Sequence, residues 1–170
     1  MNIFYLDKNP WKCAMYHCDK HVCKMILESA QMLSTAHHLL SYEKREPSEL
    51  FKKAFVNHPS TKWARETSAN YNYLFQLAWG LCSEYEFRYG KTHSTAYLIK
   101  YVLCIYPDKI PNADMTPIPQ CMPEDAKTTS SLDAYRNYYI KYKHSFAKWK
   151  IGNVPTWYSD NLEKGEYALL

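Results

Sequence analysis

Thirty consecutive residues, Trp11 to Leu40, contain neither proline nor glycine. So long an unpunctuated run favours helix, and its apolar residues recur with helical rather than alternating spacing. Asn9 can cap a helix at its start, and Pro10 suits the first helical position. The spacing predicts one helix from Pro10 to Leu40. Wound at 100° per residue, it places Trp11, Met15, Cys18, Val22, Met25, Ile26, Met32, Leu33, Ala36 and Leu40 on a broad apolar face. A narrow second stripe carries His17, His21, Lys24, Glu28, Gln31 and Thr35, with Lys20 and His38 at its edge. Glu, Lys and Ser would dominate an ordinary wet face. This stripe mixes imidazole, amine, carboxylate and amide, so it reads as the floor of a site. A solvated face or a hydrogen-bonded seam between helices gives the same pattern without function.

The rest of the chain continues the helical theme. Its 170 residues suit one domain, residues 1–170, with enough chain for a core. Only four glycines are present, and 46% of residues are hydrophobic, which points to a globular all-α protein with two long helices, shorter helices and a proline-rich loop. Residues 1–6 form an apolar, extended lead-in, and residues 41–45 a polar loop. Pro47–Phe55 is expected to be a short helix with Leu50, Phe51 and Phe55 inward. In Asn57-His58-Pro59-Ser60 the proline holds His58 extended. Ser60 then opens a second long helix running to Tyr89, stopped by Gly90. Its core stripe includes Trp63, Leu74, Leu77, Ala78, Leu81 and Tyr85, together with Thr67, Asn70 and Arg88. Polar groups on a buried stripe need partners, and these can face the first helix across a cleft. A third helix is expected from Thr92 or Ser94 to Ile105. An irregular loop with five prolines follows, from Tyr106 to Thr129. The last helix is expected from Ser130 or Ser131 to Lys150, interleaving Tyr135, Tyr138, Tyr139, Tyr142, Phe146 and Trp149 with Arg136, Lys141, Lys143 and Lys148.

The chemistry narrows from there. A net charge of +4 permits phosphate binding without demanding it. Sixteen Tyr and five Trp exceed what a core of this size needs, and suggest stacking surfaces, with Trp63, Tyr89 and Trp157 as candidates. His17 and His21 can chelate a metal, but no third ligand stands at a persuasive spacing, so neither metal nor cofactor is expected. Cys13, Cys18 and Cys23 do not share a face. The start of the chain has no leader pattern, and no apolar run is long enough to span a bilayer. A cytoplasmic protein with reduced thiols is expected, inside a host cell if phage-encoded. Lys24 and Glu28 at i, i+4 form an ordinary helix ion pair. They can equally serve, with His21, as a catalytic set acting on a sugar or phosphodiester. Phosphate or nucleotide contacts are expected from His17, Lys20, Gln31, Asn57, His58, Arg65, Asn70, Arg88, Lys91 and His93.

Lys24-x-x-x-Glu28-x-x-Gln31-x-Leu33, Asn57-His58-Pro59, Trp63 and Glu84-x-x-x-Arg88 together resemble a phage and bacterial family related to the pyrimidine-dimer DNA glycosylases of the endonuclease V type. His17-Cys18-Asp19-Lys20-His21, Arg88-Tyr89-Gly90-Lys91 and Trp149-Lys150 are similar to its phage branch. Pro155-Thr156-Trp157-Tyr158 resembles the glycosylase's aromatic C-terminal segment. The resemblance implies an all-α fold and cleavage of an N-glycosidic bond at a damaged or modified nucleotide in DNA. Glu28 would be the catalytic carboxylate. The family's nucleophile is an N-terminal α-amine exposed by removal of Met before a small residue. Here Asn2 follows Met1 and normally blocks that removal, which leaves the nucleophile undefined. A second reading gives the stripe to a small nucleotide: a phage anti-defence protein that sequesters or cleaves an immune signal such as a cyclic nucleotide or an ADP-ribose derivative, with a homo-oligomer interface as one place for its pocket. A third is a helical module that binds only protein.

Overall fold

A computed structural model describes residues 1–41, 50–152 and 154–163, of which the side chains of residues 162 and 163 are left aside. Their regular elements are helices, with no strand among them: α1 (Pro10–Tyr16), α2 (Asp19–Leu40), α3 (Pro59–Trp63), α4 (Ser68–Tyr89), α5 (Ser131–Lys143) and α6 (Thr156–Glu163). One core joins them. Val22, Ile26 and Leu33 of α2 meet Leu74, Leu77 and Leu81 of α4, and Tyr135 and Tyr139 of α5 close it.

The first long helix is broken. His17 (ψ 133°) and Cys18 (ψ 159°) are extended, and they divide α1 from α2 without a proline or glycine. The freed carbonyls explain why. Arg88 donates to Met15 O and His17 O, Trp149 Nε1–H donates to Tyr16 O, and His17 Nδ1–H donates to Cys13 O. Every acceptor that the break exposes therefore finds a donor. The open start of α2 is met in turn by the segment after α5, whose Lys148 O accepts the Asp19 N–H. That segment is thereby unavailable to α5, which ends at Lys143 rather than near Lys150. The break also turns α1 away from the apolar face of α2. Trp11 and Met15, expected in the core, are exposed. Asn9 caps α1 through the Trp11 and Lys12 N–H groups. At Gly80, where α4 crosses α1, a Cβ would lie 2.9 Å from Ala14 Cβ.

The second long helix is broken as well. α3 is capped by His58, whose Nδ1 accepts the Ser60 N–H, and α4 by Thr67, which accepts the Asn70 N–H. Asn70 donates to Trp63 O and Thr116 Oγ1, and accepts the Thr116 N–H. It ties the proline-rich segment onto the corner between α3 and α4. Gly90 ends α4 in the left-handed region, φ 62°, as its sequence position suggests.

Between residues 92 and 105 the expected helix shrinks to a π-helical turn, Leu98–Val102. The proline-rich stretch is irregular apart from a 3₁₀ turn at Glu124–Ala126. Ser130 caps α5. The polar loop after Ser41 and the start of the expected Pro47–Phe55 helix lie outside the described residues. Residues 50–55 are not helical. Their backbone groups go to side chains of α2 instead: His38 Nε2 donates to Phe51 O, and Thr35 Oγ1 accepts the Ala54 N–H. Phe55, expected inward, is 65% exposed.

Candidate active site

The site forms where the chain start crosses the middle of α2. Residues 1–6 are extended because their apolar side chains have a core to enter: Ile3, Phe4 and Leu6 are buried. Phe4 stacks on His21 with ring centroids 4.2 Å apart. Asn2 pins this segment, since its Nδ2 donates to Cys121 O and its Oδ1 accepts the Tyr135 hydroxyl. The Met1 side chain is buried, and Thr61 Oγ1 lies 3.2 Å from its sulfur. These ties hold the chain start against one carboxylate. Glu28 Oε2 accepts the Asn2 N–H at 3.1 Å and lies 3.8 Å from the α-amino nitrogen of Met1. The other oxygen, Oε1, is 3.3 Å from Lys24 Nζ.

A hollow of about 410 Å³ opens beside this arrangement. Lys20, Lys24 and Glu28 line it from α2, Tyr138 and Lys143 from α5, and Phe146 from the turn beyond. Lys143 Nζ donates to the Tyr138 hydroxyl at 3.1 Å and sits 4.3 Å from that ring's centre, while Lys20 stands 4.8 Å from the centre of Phe146. Three lysines and the α-amine thus face a single carboxylate. The excess of positive charge suits a phosphate-bearing ligand, and the rings offer flat apolar surface. Chemically, a primary amine against a carboxylate supplies a nucleophile with an adjacent proton acceptor.

The two early histidines are held neutral. His21 also lines the hollow, with Nδ1 2.6 Å from the Tyr139 hydroxyl. Burial lowers its pKa to about 2, helped by His17, Lys143, Lys24 and Lys20. His17 is fully buried behind it, and burial lowers its pKa to about 4 against the opposing hydrogen bond to Cys13 O. An imidazole in this state can donate or accept a hydrogen bond, but it carries no charge near neutrality, so His21 is a poor proton donor and His17 brings no cation to a phosphate. Among the described residues no group of three or more His, Cys, Asp or Glu is placed to hold a metal ion.

The remaining candidates divide. His58 belongs to the neighbourhood of the hollow: burial lowers its pKa, the Met1 α-amine lowers it further, and Glu28 opposes both. Gln31 lies one turn beyond Glu28, half-buried, and Asn57 is exposed beside His58. The others are spent elsewhere, which corrects the expectation that they converge. Arg65 donates to Thr61 O and Val56 O. Asn70 holds Thr116, and buried Trp63 donates to Thr116 O. Arg88 binds Asp19, Glu84 and the carbonyls of the α1–α2 break, with Tyr89 donating to Asp19 O beside it. His93 accepts the Thr95 N–H, and Lys91 is exposed past the end of α4. Trp157 packs on Arg136, Tyr16 and Tyr139. Sequence reasoning missed Lys143, Tyr138 and Phe146 as site residues. Their lysine and aromatic interleaving was visible, but which side chains of α5 would reach α2 was not.

A family model described as pyrimidine dimer DNA glycosylase matches residues 1–98. No curated protein and no solved structure matches the chain. The matched part contains Met1, Lys20, Lys24 and Glu28, while the α5 wall of the hollow lies beyond it.

Proposed function

The chain belongs to the pyrimidine dimer DNA glycosylase family, whose model matches more than half its length, and on that premise we propose that it cleaves the N-glycosidic bond of a damaged or modified nucleotide in DNA. The observation that carries this reading is the α-amine of Met1 held 3.8 Å from Glu28 beside a cationic hollow. With Met1 in place, the primary amine at this carboxylate is that of Met1, so removal of Met1 is not needed to bring one there.

The steps follow from what these groups can do. The unprotonated amine attacks C1′ of the deoxyribose. The N-glycosidic bond breaks, and its electron pair leaves with the base, which takes up a proton. Glu28 stabilises the positive charge that develops on the sugar, then accepts the proton that the amine loses. The ring opens as O4′ is protonated, leaving an imine between the amine and C1′. Water can hydrolyse this imine to an abasic site. Lys20, Lys24 and Lys143 hold the flanking phosphates, and the sugar enters the hollow only when its nucleotide leaves the stack.

A second reading keeps the hollow and drops the duplex. A volume of about 410 Å³ lies within the range of small-molecule pockets, so a single nucleotide signal could be sequestered or cleaved there. One experiment separates the two. Duplexes carrying ultraviolet photoproducts or modified bases are incubated with excess protein, and abasic sites are read by alkaline cleavage. In parallel, thermal shifts are recorded with cyclic nucleotides and ADP-ribose. The glycosylase reading expects abasic sites from at least one duplex, with Glu28→Gln slower by on the order of 10²–10⁴-fold. Large thermal shifts with a nucleotide, and no abasic sites from any duplex, would replace it with the second reading.

A further inference from the structure

We propose that Tyr138 is the acid of the hollow: its hydroxyl gives a proton to the departing base, and Lys143 steadies the phenolate that remains. This rests on the glycosylase reading above, and supplies the proton that the base takes up there.

A base that leaves C1′ with both bonding electrons departs as an anion unless a proton reaches it as the bond breaks. The donor must line the hollow that holds the amine and Glu28. Most groups there are committed. The α-amine attacks, Glu28 takes the proton that the amine loses, and Lys24 Nζ is held 3.3 Å from Glu28 Oε1. His21 lines the hollow, but burial lowers its pKa to about 2, so it has no imidazolium proton to give near neutrality. Asn2 spends its side chain on Cys121 O and the Tyr135 hydroxyl, and Cys121 Sγ lies 3.6 Å from Ser60 Oγ.

Tyr138 differs from these. Lys143 Nζ donates to its oxygen at 3.1 Å. No other hydrogen bond engages that oxygen among the described residues, so the phenolic hydrogen is uncommitted. Among the residues that line the hollow, Tyr138 alone joins a transferable proton to an ammonium already bonded to the oxygen that gives it up.

The pair is not a by-product of helix spacing. Neighbours on a helix surface stand three or four residues apart, whereas Tyr138 and Lys143 stand five apart at the end of α5. Lys143 folds back over the Tyr138 ring, with Nζ 4.3 Å from its centre and 6.0 Å from the centre of Phe4. Phe4 in turn lies nearly parallel to Tyr138, at 17° with centroids 6.0 Å apart. Phe4 follows Met1 by three residues, so the segment that presents the amine also seats the phenol.

The step balances. The C1′–N bond breaks and its electron pair goes to the base. The Tyr138 O–H bond breaks, its proton goes to the base, and its electron pair stays on the phenolate oxygen. The Lys143 ammonium already donates to that oxygen, and its hydrogen bond strengthens as negative charge develops there. Solvent returns the proton after the base has left, and nothing is oxidised or reduced.

The test uses Tyr138→Phe, which keeps the ring against Phe4 and removes only the hydroxyl. Two rates are measured with excess protein. One is the formation of abasic sites in whichever photoproduct or modified-base duplex wild type attacks fastest. The other is borohydride trapping on a duplex that already contains an abasic site, where no base remains to depart and no acid is needed for it. Tyr138→Phe is expected to lose on the order of 10²–10⁴-fold on the first, and a factor at least about ten times smaller on the second. The second rate also reports that the variant is folded. Lys143→Ala, which keeps the hydroxyl and removes its ammonium, should show the same split at smaller size. Undiminished base release in Tyr138→Phe, or an equal loss on both substrates, overturns the acid while the glycosylase reading stands. If wild type releases no base from any duplex, the glycosylase reading fails, and the acid falls with it.

Discussion

Arg88 and Lys24 are both cations paired with a carboxylate four residues away on their own helix, and their surroundings differ in one respect. The Arg88 side chain is 2% exposed, that of Lys24 64%. Five guanidinium N–H groups are available on any arginine. Those of Arg88 make five hydrogen bonds: two to Glu84 Oε2, and one each to Asp19 Oδ1 and the carbonyls of Met15 and His17. Nothing is left over for a ligand. Around Lys24 the count runs the other way, with three lysines and an α-amine against one carboxylate. A polar cluster whose donors and acceptors balance inside the protein is part of the fold. One whose charges remain unbalanced beside a hollow is available to a ligand.

The largest expected effect breaks the Arg88 side. Arg88→Met leaves Asp19 and Glu84 without their buried partner and two helix-end carbonyls without donors. It should cost about 3–5 kcal/mol in urea unfolding. A loss below about 1 kcal/mol would mean that the cluster is not structural. Glu28→Gln, its counterpart at the hollow, should stay within about 1 kcal/mol of wild type in the same measurement.

The buried histidines at the boundary between the two regions give the next effect. The folded chain holds His17 and His21 at about 4 and about 2, below the ordinary 6.5 that the unfolded chain keeps. Below pH 6.5 the unfolded chain therefore binds protons that the folded chain refuses, and stability falls as pH falls. Each histidine should contribute about 2 kcal/mol of loss between pH 6.5 and 5. Urea midpoints at the two pH values measure it, and equal midpoints would show that the imidazoles are not held neutral.

Two smaller effects sharpen the contrast from opposite sides. Gly80→Ala drives a Cβ to within 2.9 Å of Ala14 and loosens α1 from α4. It should cost about 1–3 kcal/mol and leave the salt dependence of DNA binding unchanged. Lys143→Ala should do the reverse. Stability should move by less than about 1 kcal/mol, while the slope of log K against log salt falls by about 1. Fluorescence anisotropy across a salt series, run beside urea unfolding, reads both variants.

What the sequence disclosed divides along the range of the interactions. Asn9 before Pro10, Ser130 before α5 and Gly90 after α4 act on their immediate neighbours, and their caps stand where local chemistry puts them. The α2 stripe of Lys20, His21, Lys24 and Glu28 was legible because helical periodicity alone gathers it. The breaks at His17–Cys18 and before Thr67 were not. Arg88 reaches back 71 residues to His17 O, and Asn70 reaches forward 46 to Thr116. A pattern read in a local window cannot see such partners. The same two residues show the limit for function. A buried asparagine or arginine signals that a partner exists, and here the partners proved to be backbone and carboxylate rather than ligand. Lys143 is missed, and the nucleophile is left undefined at Met1-Asn2, for the converse reason: only tertiary packing brings α5 and the chain start to Glu28.

The proposed cleavage depends on the Met1 amine as its nucleophile. The most direct measurement is borohydride reduction of the protein on an abasic duplex, followed by peptide mass mapping. A reduced sugar adduct on the α-amine of Met1, lost when residues are added ahead of Met1, is the expected result. An adduct on Lys24, or none at protein excess, would contradict it.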